Sequence, residues 1–352
     1  MKAIIVQDVG VAKVVDDADE PRLRPDYVKV KVAAVALNPT DWKTLDEIGR
    51  AGSIVGCDFS GTVVEIGSEV KSDVKKGDRI WGFVHGCNYL NPEDGAFAEY
   101  IVAKDGIFGK VPDFMSMEDA ATLGVAVATN GQGIYQTLKL PLPTQPAEKP
   151  LPLLIYGGST ATGTIGIQLA KLSLLLSGLQ VITTASPNNF ALLKSRGADK
   201  IFDYNEPDVG EKIRKYTNNG LKYVFDTVSL PSSVAICAAA ISTTSEPRAR
   251  YTALLPVDFP RDDVDSGFTL AYTCWGERVQ RGDWQCPPQP EDYEFAVQFI
   301  KEVDGLIARK KVVPHPATVG TKGLHGILDA LQLMREDKIR GTKLVFRISD
   351  TS

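Results

Sequence analysis

Between Leu153 and Tyr204 the chain reads as strand, tight turn, helix and second strand, an order that commits these residues to an α/β sheet domain. Apolar, β-rich Leu153–Tyr156 runs into Gly157 and Gly158 and three small hydroxyl residues, Ser159, Thr160 and Thr162, before a helical pattern starts. Ile165, Leu169 and Leu172 then recur at helical spacing and give that helix one apolar face. A second β-rich run, Leu179–Thr184, follows at the distance a βαβ crossover needs. Such a turn leaves backbone N–H groups free at a helix N-terminus, where a pyrophosphate can sit. The strict G-x-G-x-x-G string is absent, because Gly157, Gly158 and Gly163 are spaced differently. The plainer reading is a glycine-rich turn in an ordinary α/β domain, but the four pieces together favour a bound dinucleotide.

The residues after the second strand bear on which dinucleotide. An NAD-binding unit normally ends this strand with Asp or Glu, which accepts from the ribose hydroxyls. Here the chain has Ala185-Ser186-Pro187-Asn188-Asn189, neutral and hydrogen-bonding, with Lys194 and Arg196 on the next helix. No carboxylate repels a 2′-phosphate, so the expected cofactor is NADPH rather than NADH.

The rest of the composition excludes more than it assigns. A net charge of −5 without a basic tract gives nucleic-acid binding no footing. No apolar run reaches the length of a membrane span, and Lys171–Leu179, the most apolar stretch, reads as the end of a core helix. The opening MKAIIVQDV lacks the features of a secretory signal, so cytoplasmic residence is expected. The five cysteines (57, 87, 237, 274 and 286) are scattered and form no C-x-x-C pair, which suggests neither a disulfide framework nor a zinc lobe. His85, His315 and His325 stand beside no motif and read as surface or packing residues.

At 352 residues the chain suits two domains. The first 105 residues read as short strands at regular spacing, among them Tyr27–Val32, Asp58–Gly67, a strand after the Lys76-Gly77-Asp78 turn, and Gly95–Val102. This pattern predicts a small antiparallel, barrel-like domain. Residues 119 to 138 read as one connecting helix, and proline-rich Leu140–Pro152 as a surface loop. Strands and helices then alternate to about residue 273, with Tyr223–Asp226 and Tyr251–Leu255 as later strands. Glu277–Glu291 is charged and proline-rich, and helices Tyr293–Ala308 and Leu324–Glu336 and a closing strand Lys343–Ile348 follow. A substrate is expected in the cleft between two such domains.

The chain resembles the medium-chain dehydrogenase/reductase superfamily over nearly its full length. The residues that carry the resemblance are Gly56-x-Asp58-x-x-Gly61-x-Val63-x-x-x-Gly67, Gly77-Asp78-Arg79, Gly95-Ala96-Phe97-Ala98-Glu99-Tyr100, Lys194-x-x-Gly197-Ala198-Asp199, Asp203-Tyr204 and Gly341-x-Lys343-Leu344-Val345. The resemblance implies a doubly wound Rossmann cofactor domain at 129–273 and a GroES-like, mostly β catalytic domain at 1–128 and 274–352. Zinc members carry a cysteine near residue 38 and a His-Glu pair near residue 57, where this chain has Asn38 and Cys57-Asp58. Cys57 alone cannot supply a three-ligand site, so no metal is expected. Within the zinc-free branch, YGGSTAT, Ser186-Pro187-x-Asn189-Phe190, Lys194-Ser195-Arg196-Gly197-Ala198, Phe202-Asp203-Tyr204 and Leu140-Pro141-Leu142-Pro143 are similar to fungal trans-acting enoyl reductases of the lovastatin-pathway type. That group serves polyketide synthases, or hybrids with peptide synthetases, whose own reductase domain is inactive.

Carried onto matching positions, the resemblance implies cofactor contacts from Thr40, Asp41, Trp42 and Lys43, and from Ser159, Thr160, Ala161 and Thr162. It adds Ser186, Pro187, Asn188, Asn189 and Tyr204, then Leu254 and Leu255, with Arg340 and Gly341 completing the set. The acyl pocket would be lined by Gly131, Gln132, Gly133 and Ile134, continuing through Tyr135, Gln136, Thr137 and Leu138. A second wall would come from Thr273, Cys274, Trp275, Gly276 and Glu277. Thr129 is placed at the nicotinamide-facing hydroxyl position. On sequence alone plain core packing is the slightly better reading of Tyr135 and Trp275, which only the resemblance moves into the pocket, and Asp226 reads as a turn cap.

The chemistry expected is addition at the β-carbon of an enoyl thioester, with charge building on the thioester oxygen and a proton reaching the α-carbon. Lys43 is the candidate functional charge, against the ordinary fate of lysine as a solvated surface group. Related reductases carry a tyrosine near this place where the chain has Trp42, so water is a candidate proton source. The prolines and mixed charges of 277–291 would discourage pairing of sheet edges, and a monomer is expected. The partner is expected to be the synthase with its acidic carrier domain, although Lys71, Lys75 and Lys76 read as a solvated turn rather than a dock. The alternatives left open are a stand-alone quinone or alkenal reductase and a non-catalytic, NADPH-binding accessory protein.

Overall fold

The computed structural model describes residues 1–143, 151–172, 179–244 and 246–352. It divides into two compact units: Met1–Ala128 with Tyr272–Lys310 and Pro314–Ser352, and Thr129–Ala271 with Lys311–Val313. Among the described residues no helix is long and apolar enough to cross a membrane. Parts of two expected segments, 144–150 of the proline-rich loop and 173–178 of the apolar stretch, lie outside the described residues.

The second unit is built on six parallel strands. In spatial order they are Lys200–Asp203, Leu179–Ala185, Leu151–Tyr156, Tyr223–Asp226, Ala249–Ala253 and Val264–Phe268. Leu153, Leu154 and Ile155 are fully buried in succession, as expected of a strand covered on both faces. The chain starts at Leu151–Tyr156, winds outward on one side, and returns to add Tyr223–Asp226 on the other. The reversal leaves a crevice at the carboxyl ends of these two neighbours. Helices Ala161–Leu172, Val209–Tyr216 and Pro231–Ala240 belong to this unit, and Ile213, Val234 and Cys237 join the sheet's core cluster. The strand expected at Tyr251–Leu255 runs instead over Ala249–Ala253, because Leu254 N–H turns away to donate to Ser229 Oγ (2.8 Å).

The first unit carries a seven-stranded sheet centred on Tyr27–Ala36 and Asp58–Ile66, antiparallel except where Ala317–Val319 joins Lys343–Arg347. Two expectations shift here. Tyr100–Lys104 is the strand, whereas Gly95 is pressed so closely on Ile54 that a Cβ would lie 2.4 Å from its carbonyl oxygen. Glu277–Glu291 is no irregular insert: Val279–Arg281 pairs with Trp284–Cys286 as a hairpin. The next helix opens at Pro290, three residues earlier than expected, because proline suits a first helical position, where its missing N–H costs nothing. Lys71, Lys75 and Lys76 are exposed, with Lys75 N–H donating to Asp78 in a turn.

The single helix expected over 119–138 is three pieces: Met117–Ala120, Gly124–Asn130 and a π-helical Gly131–Thr137. Gly124 explains the first break. A Cβ there would lie 2.2 Å from Gly82 O, and the neighbouring Val125 N–H is drawn to Asp58 Oδ1 at 2.6 Å.

Candidate active site

In the second unit, strand register gathers the expected cofactor residues along one sheet edge. Tyr156 lies opposite Asp226, Asp226 opposite Ala253, and Asp203 opposite Ala185. The residues that follow, Gly157, Thr227, Leu254, Tyr204 and Ser186, therefore leave the sheet at one level. Gly157 has φ +81°, and its Cβ would lie 2.6 Å from Val228 Cγ2. A Cβ on Gly158 would meet Thr183 Oγ1 at 2.2 Å, and one on Gly163 would meet Gly157 O at 2.4 Å. These three glycines press turn, strand and helix together, which is the packing a pyrophosphate cradle requires.

Thr160 closes the turn: its hydroxyl accepts from Gly163 N–H and donates to Gly157 O, both at 2.9 Å. Thr160 therefore shapes the loop, whereas half-buried Ser159, Ala161 and Thr162 flank it at the start of the helix, where the first N–H groups have no partner within the helix itself. Sequence reasoning missed Thr227, whose Oγ1 reaches Tyr156 O (2.8 Å), Gly157 O (3.1 Å) and Thr160 Oγ1 (3.0 Å). Its position just after Asp226, at a strand end, was the available signal. Asp226 is the turn cap: fully buried, it accepts from Val228 N–H, Ser229 N–H, Ser233 Oγ and Tyr251 Oη.

Ser186 begins a short 3₁₀ turn over Pro187–Asn189, and Asn189 Nδ2 donates to Ser186 Oγ at 3.2 Å. Pro187 and Asn188 are exposed, as are Tyr204 and Leu255. Lys194 and Arg196 stand at the far end of the following helix, whose six residues span about 9 Å. Arg196 is half-buried, and burial lowers its pKa.

The π-helical segment contributes more packing than surface. Gly131, Gln132, Gly133, Ile134 and Tyr135 are buried, and a Cβ on Gly133 would lie 2.6 Å from the Phe225 ring. Leu138 is buried as well, while Gln136 and Thr137 keep some exposure. Asn130 Nδ2 donates to Thr162 O at 2.9 Å, tying this segment to the glycine turn one residue after buried Thr129.

In the first unit, helix Pro39–Ile48 places Thr40, Asp41, Trp42 and Lys43 in its opening turns. Asp41 is turned inward, where it accepts from Asn38 N–H at 2.7 Å, so its carboxylate organises the helix start rather than a surface. Asn38 Nδ2 donates to Asp58 Oδ2 (2.9 Å), Lys343 Nζ donates to Asn38 Oδ1 (2.9 Å), and Lys343 pairs with Asp58. Trp42 packs on the core. Lys43 is half-buried with Nζ 5.6 Å from the Trp42 ring centroid, and burial lowers its pKa. No ion pair holds it among the described residues.

Tyr272 is the residue that sequence reasoning overlooked here. Its hydroxyl lies 2.8 Å from Thr40 Oγ1 and 3.4 Å from Cys57 Sγ, and its ring stacks on His85 at 4.1 Å. His85, read from sequence as a surface or packing residue, is buried in a three-ring cluster with Tyr272 and Trp275 and pushed down to about 3 by burial, so it is a neutral imidazole. Of the expected second pocket wall, Trp275 lies against Phe83 (4.5 Å), Cys274 is fully buried, and Thr273 is hydrogen-bonded to Asp292. Gly276 turns with φ +67°, and Glu277 accepts from Lys104 Nζ (2.5 Å) and Tyr27 Oη (3.0 Å). Arg340 is exposed and paired with Asp337, beside Gly341. Among the described residues no group of three or more His, Cys, Asp or Glu could hold a metal ion.

Comparison with known proteins fits this geometry. Residues 24–113 match the alcohol dehydrogenase GroES-like domain, and residues 161–244 match the zinc-binding dehydrogenase family. The trans-enoyl reductase ACTTS2 of Alternaria alternata is 45% identical over 99% of this chain and 98% of its own. The trans-enoyl reductase TOXD of Cochliobolus carbonum is 50% identical over 78% of this chain and 91% of its own. Among solved structures, the quinone oxidoreductase of Coxiella burnetii superposes with a TM-score of 0.72 at 24% identity, covering 99% of both chains, which shows the shared fold. A dinucleotide cradle joined in one chain to a GroES-like unit, with relatives of this identity along nearly all of its length, places the protein in the trans-enoyl reductase family of the medium-chain dehydrogenases/reductases.

Proposed function

We propose that the protein is a cytoplasmic, NADPH-dependent enoyl reductase acting in trans on carrier-bound polyketide intermediates, with a polyketide synthase or a hybrid synthase–peptide synthetase as its partner. The observation that carries this reading is the relationship to trans-enoyl reductases over nearly the whole chain. The close-packed Gly157, Gly158 and Gly163 fit a nicotinamide dinucleotide, because any Cβ there would fill the turn. The neutral Ser186–Asn189 turn favours the 2′-phosphate over a bare ribose.

When bound, the nicotinamide supplies the hydride for the β-carbon. The protein's own task is to hold the thioester and steady the charge that builds on its oxygen. Lys43 and Thr40 are the groups we assign to that oxygen and to the adjoining cofactor amide, with Thr129 facing the nicotinamide. For the acyl chain the residues we assign are Trp275 and, of 131–138, those that keep some exposure, Gln136 and Thr137. A monomer is part of this proposal; Asp265, paired with Arg248 at 2.9 Å, is the charge that the edge strand Val264–Phe268 sets against pairing.

The test is NADPH oxidation by the purified protein with an α,β-unsaturated acyl thioester on a pantetheine carrier mimic, run beside a quinone and beside NADH. Thioester turnover with NADPH preference is expected. Turnover of the quinone alone would move the protein to the small-molecule reductases.

A further inference from the structure

We propose that Asp41, Cys57 and Tyr272 form a buried hydrogen-bond relay that sets which way the Thr40 hydroxyl points its hydrogen, and so couples the protonation of Asp41 to the reduction step. The inference rests on the enoyl reductase reading, because it assigns the Thr40 hydroxyl to the oxygen on which charge develops.

The geometry is a line of four groups in the first unit. Thr40 Oγ1 and Tyr272 Oη are 2.8 Å apart, and Tyr272 Oη and Cys57 Sγ are 3.4 Å apart. The Cys57 thiol lies beside the Asp41 carboxyl. Thr40, at the start of its helix, is half exposed, whereas Asp41, Cys57 and Tyr272 are 2%, 1% and 6% exposed. Asp41 Oδ2 is engaged by Asn38 N–H, but the buried Oδ1 has no hydrogen-bond partner of normal geometry. An acceptor left open at the buried end is unusual, because an unsatisfied carboxylate oxygen costs free energy that folding normally avoids. The phenol is fixed in place by its stack on His85 and by the Arg281 guanidinium, 5.7 Å from its ring centroid.

Each of the three X–H groups holds one hydrogen, so an unbroken line runs in one of two directions, with the Thr44 hydroxyl, 3.4 Å from Thr40 Oγ1, as a further partner at its outer end. With Asp41 ionised, the Cys57 thiol donates to its carboxylate, Tyr272 donates to sulfur, and Thr40 donates to Tyr272. Thr40 then offers the outside only lone pairs. With Asp41 protonated, its O–H donates to sulfur, Cys57 donates to Tyr272, and Tyr272 donates to Thr40. The Thr40 hydrogen is then free to donate outward. Only Asp41 gains or loses a proton, exchanged with solvent, and the other three groups merely rotate. A donor aimed at a forming oxyanion accelerates reaction, while a lone pair aimed at it opposes reaction.

The groups facing Asp41 are the thiols of Cys57 and Cys87, the Asp58 carboxylate and the Lys343 ammonium. Burial outweighs the Asn38 hydrogen bond and pushes the Asp41 carboxyl up to about 7, placing the reversal near neutrality. The donor state is the acidic one, so the rate falls as pH rises through that value.

Two readouts test the relay on the full-length protein. The first is kcat for an enoyl thioester against pH for wild type, Asp41→Asn and Tyr272→Phe. Wild type should lose up to about a hundredfold on the alkaline side, the order of one oxyanion donor. The Asp41→Asn amide can accept from Asn38 and donate to sulfur in every condition, which locks the donor direction and flattens the profile. Tyr272→Phe keeps the ring stack but cuts the line, so the Thr40 hydroxyl no longer follows Asp41 and the alkaline fall should vanish. An unchanged profile in both variants overturns the proposal.

The second readout needs no turnover: the infrared S–H stretch of Cys57, isolated by subtracting a Cys57→Ser spectrum, in acidic and alkaline samples. The band should shift in wild type and stay fixed in Asp41→Asn. A band that ignores pH in wild type sinks the relay even if the thioester is reduced. A shifting band in a protein that reduces no thioester sinks the enoyl reductase reading instead, and with it the coupling to catalysis.

Discussion

The Lys343 ammonium and the Asp58 carboxylate pair out of reach of solvent, at 4% and 0% exposure, with Asn38 bonded to both. The pair joins the closing strand of the chain to the strand that follows Cys57. Removing one partner leaves the other charge buried and uncompensated. Lys343→Met should therefore lower unfolding stability by about 3–5 kcal/mol, and Asp58→Asn added to it should restore part of the loss. Urea denaturation of wild type and the two variants checks this, and a loss under about 1 kcal/mol for Lys343→Met would mean that the pair is dispensable.

The glycine turn makes a sharper demand. A Cβ on Gly163 has nowhere to go, being 2.4 Å from Gly157 O and 2.7 Å from Gly158 Cα, and both neighbours are backbone. Gly163→Ala should reduce NADPH affinity about tenfold or more by spreading the turn from the helix. Gly267→Ala, with nothing within 4 Å of its Cβ, is the matched control and should leave affinity alone. Fluorescence titration of NADPH separates the two, and equal affinities would argue that the turn does not touch the cofactor.

His85 gives stability a pH dependence of defined sign. Its folded-state pKa is pushed from 6.5 down to about 3 by burial. Between these values the unfolded chain binds the extra proton, so the contribution of His85 is complete above about 6.5 and is lost as pH falls toward about 3. The full effect is on the order of 4–5 kcal/mol. Asp41 and Asp94 carry raised values and act in the opposite direction, so the contribution has to be read as a difference. The stability gap between wild type and His85→Phe should shift against wild type on acidification. A gap constant from neutral to acid pH would place the imidazole in contact with water.

These sites differ in how far the sequence reveals them. The cofactor turn is legible because its signals are local: a short apolar β-rich run, glycines, and a 3.6-residue helix period within one stretch. The relay is not, because Cys57 and Tyr272 meet across 215 residues and neither sits in a motif. Lys343 is legible only as a member of a closing strand, and its ammonium gains meaning once the sheet sets it beside Asp58. Residues 119 to 138 read as one helix because an apolar run looks alike in α and π geometry. The break at Gly124 is set by a distant strand through Gly82 and Asp58. The Glu277–Glu291 segment misleads for a different reason: its prolines mark the helix start at Pro290, while the hairpin before them is short and polar.

Ser186 should decide between the two nicotinamide cofactors. It is the first residue beyond Leu179–Ala185, the strand whose end meets the adenosine ribose in dinucleotide domains. Its hydroxyl accepts from Asn189, and the turn it opens carries no charge. An added carboxylate about 4 Å from a 2′-phosphate would cost about 1 kcal/mol in bulk water and about 4 kcal/mol near a protein surface. Ser186→Asp should thus weaken NADPH binding by a factor between about five and about a thousand, and it should strengthen NADH binding through the ribose hydroxyls. Lys194 points to the opposite outcome: it stands at the far end of the next helix, so Lys194→Ala should change NADPH affinity less than twofold, about 0.4 kcal/mol. Dissociation constants for both cofactors on both variants decide the matter. If Lys194→Ala weakens NADPH while Ser186→Asp does not, the phosphate lies along the helix rather than at its start.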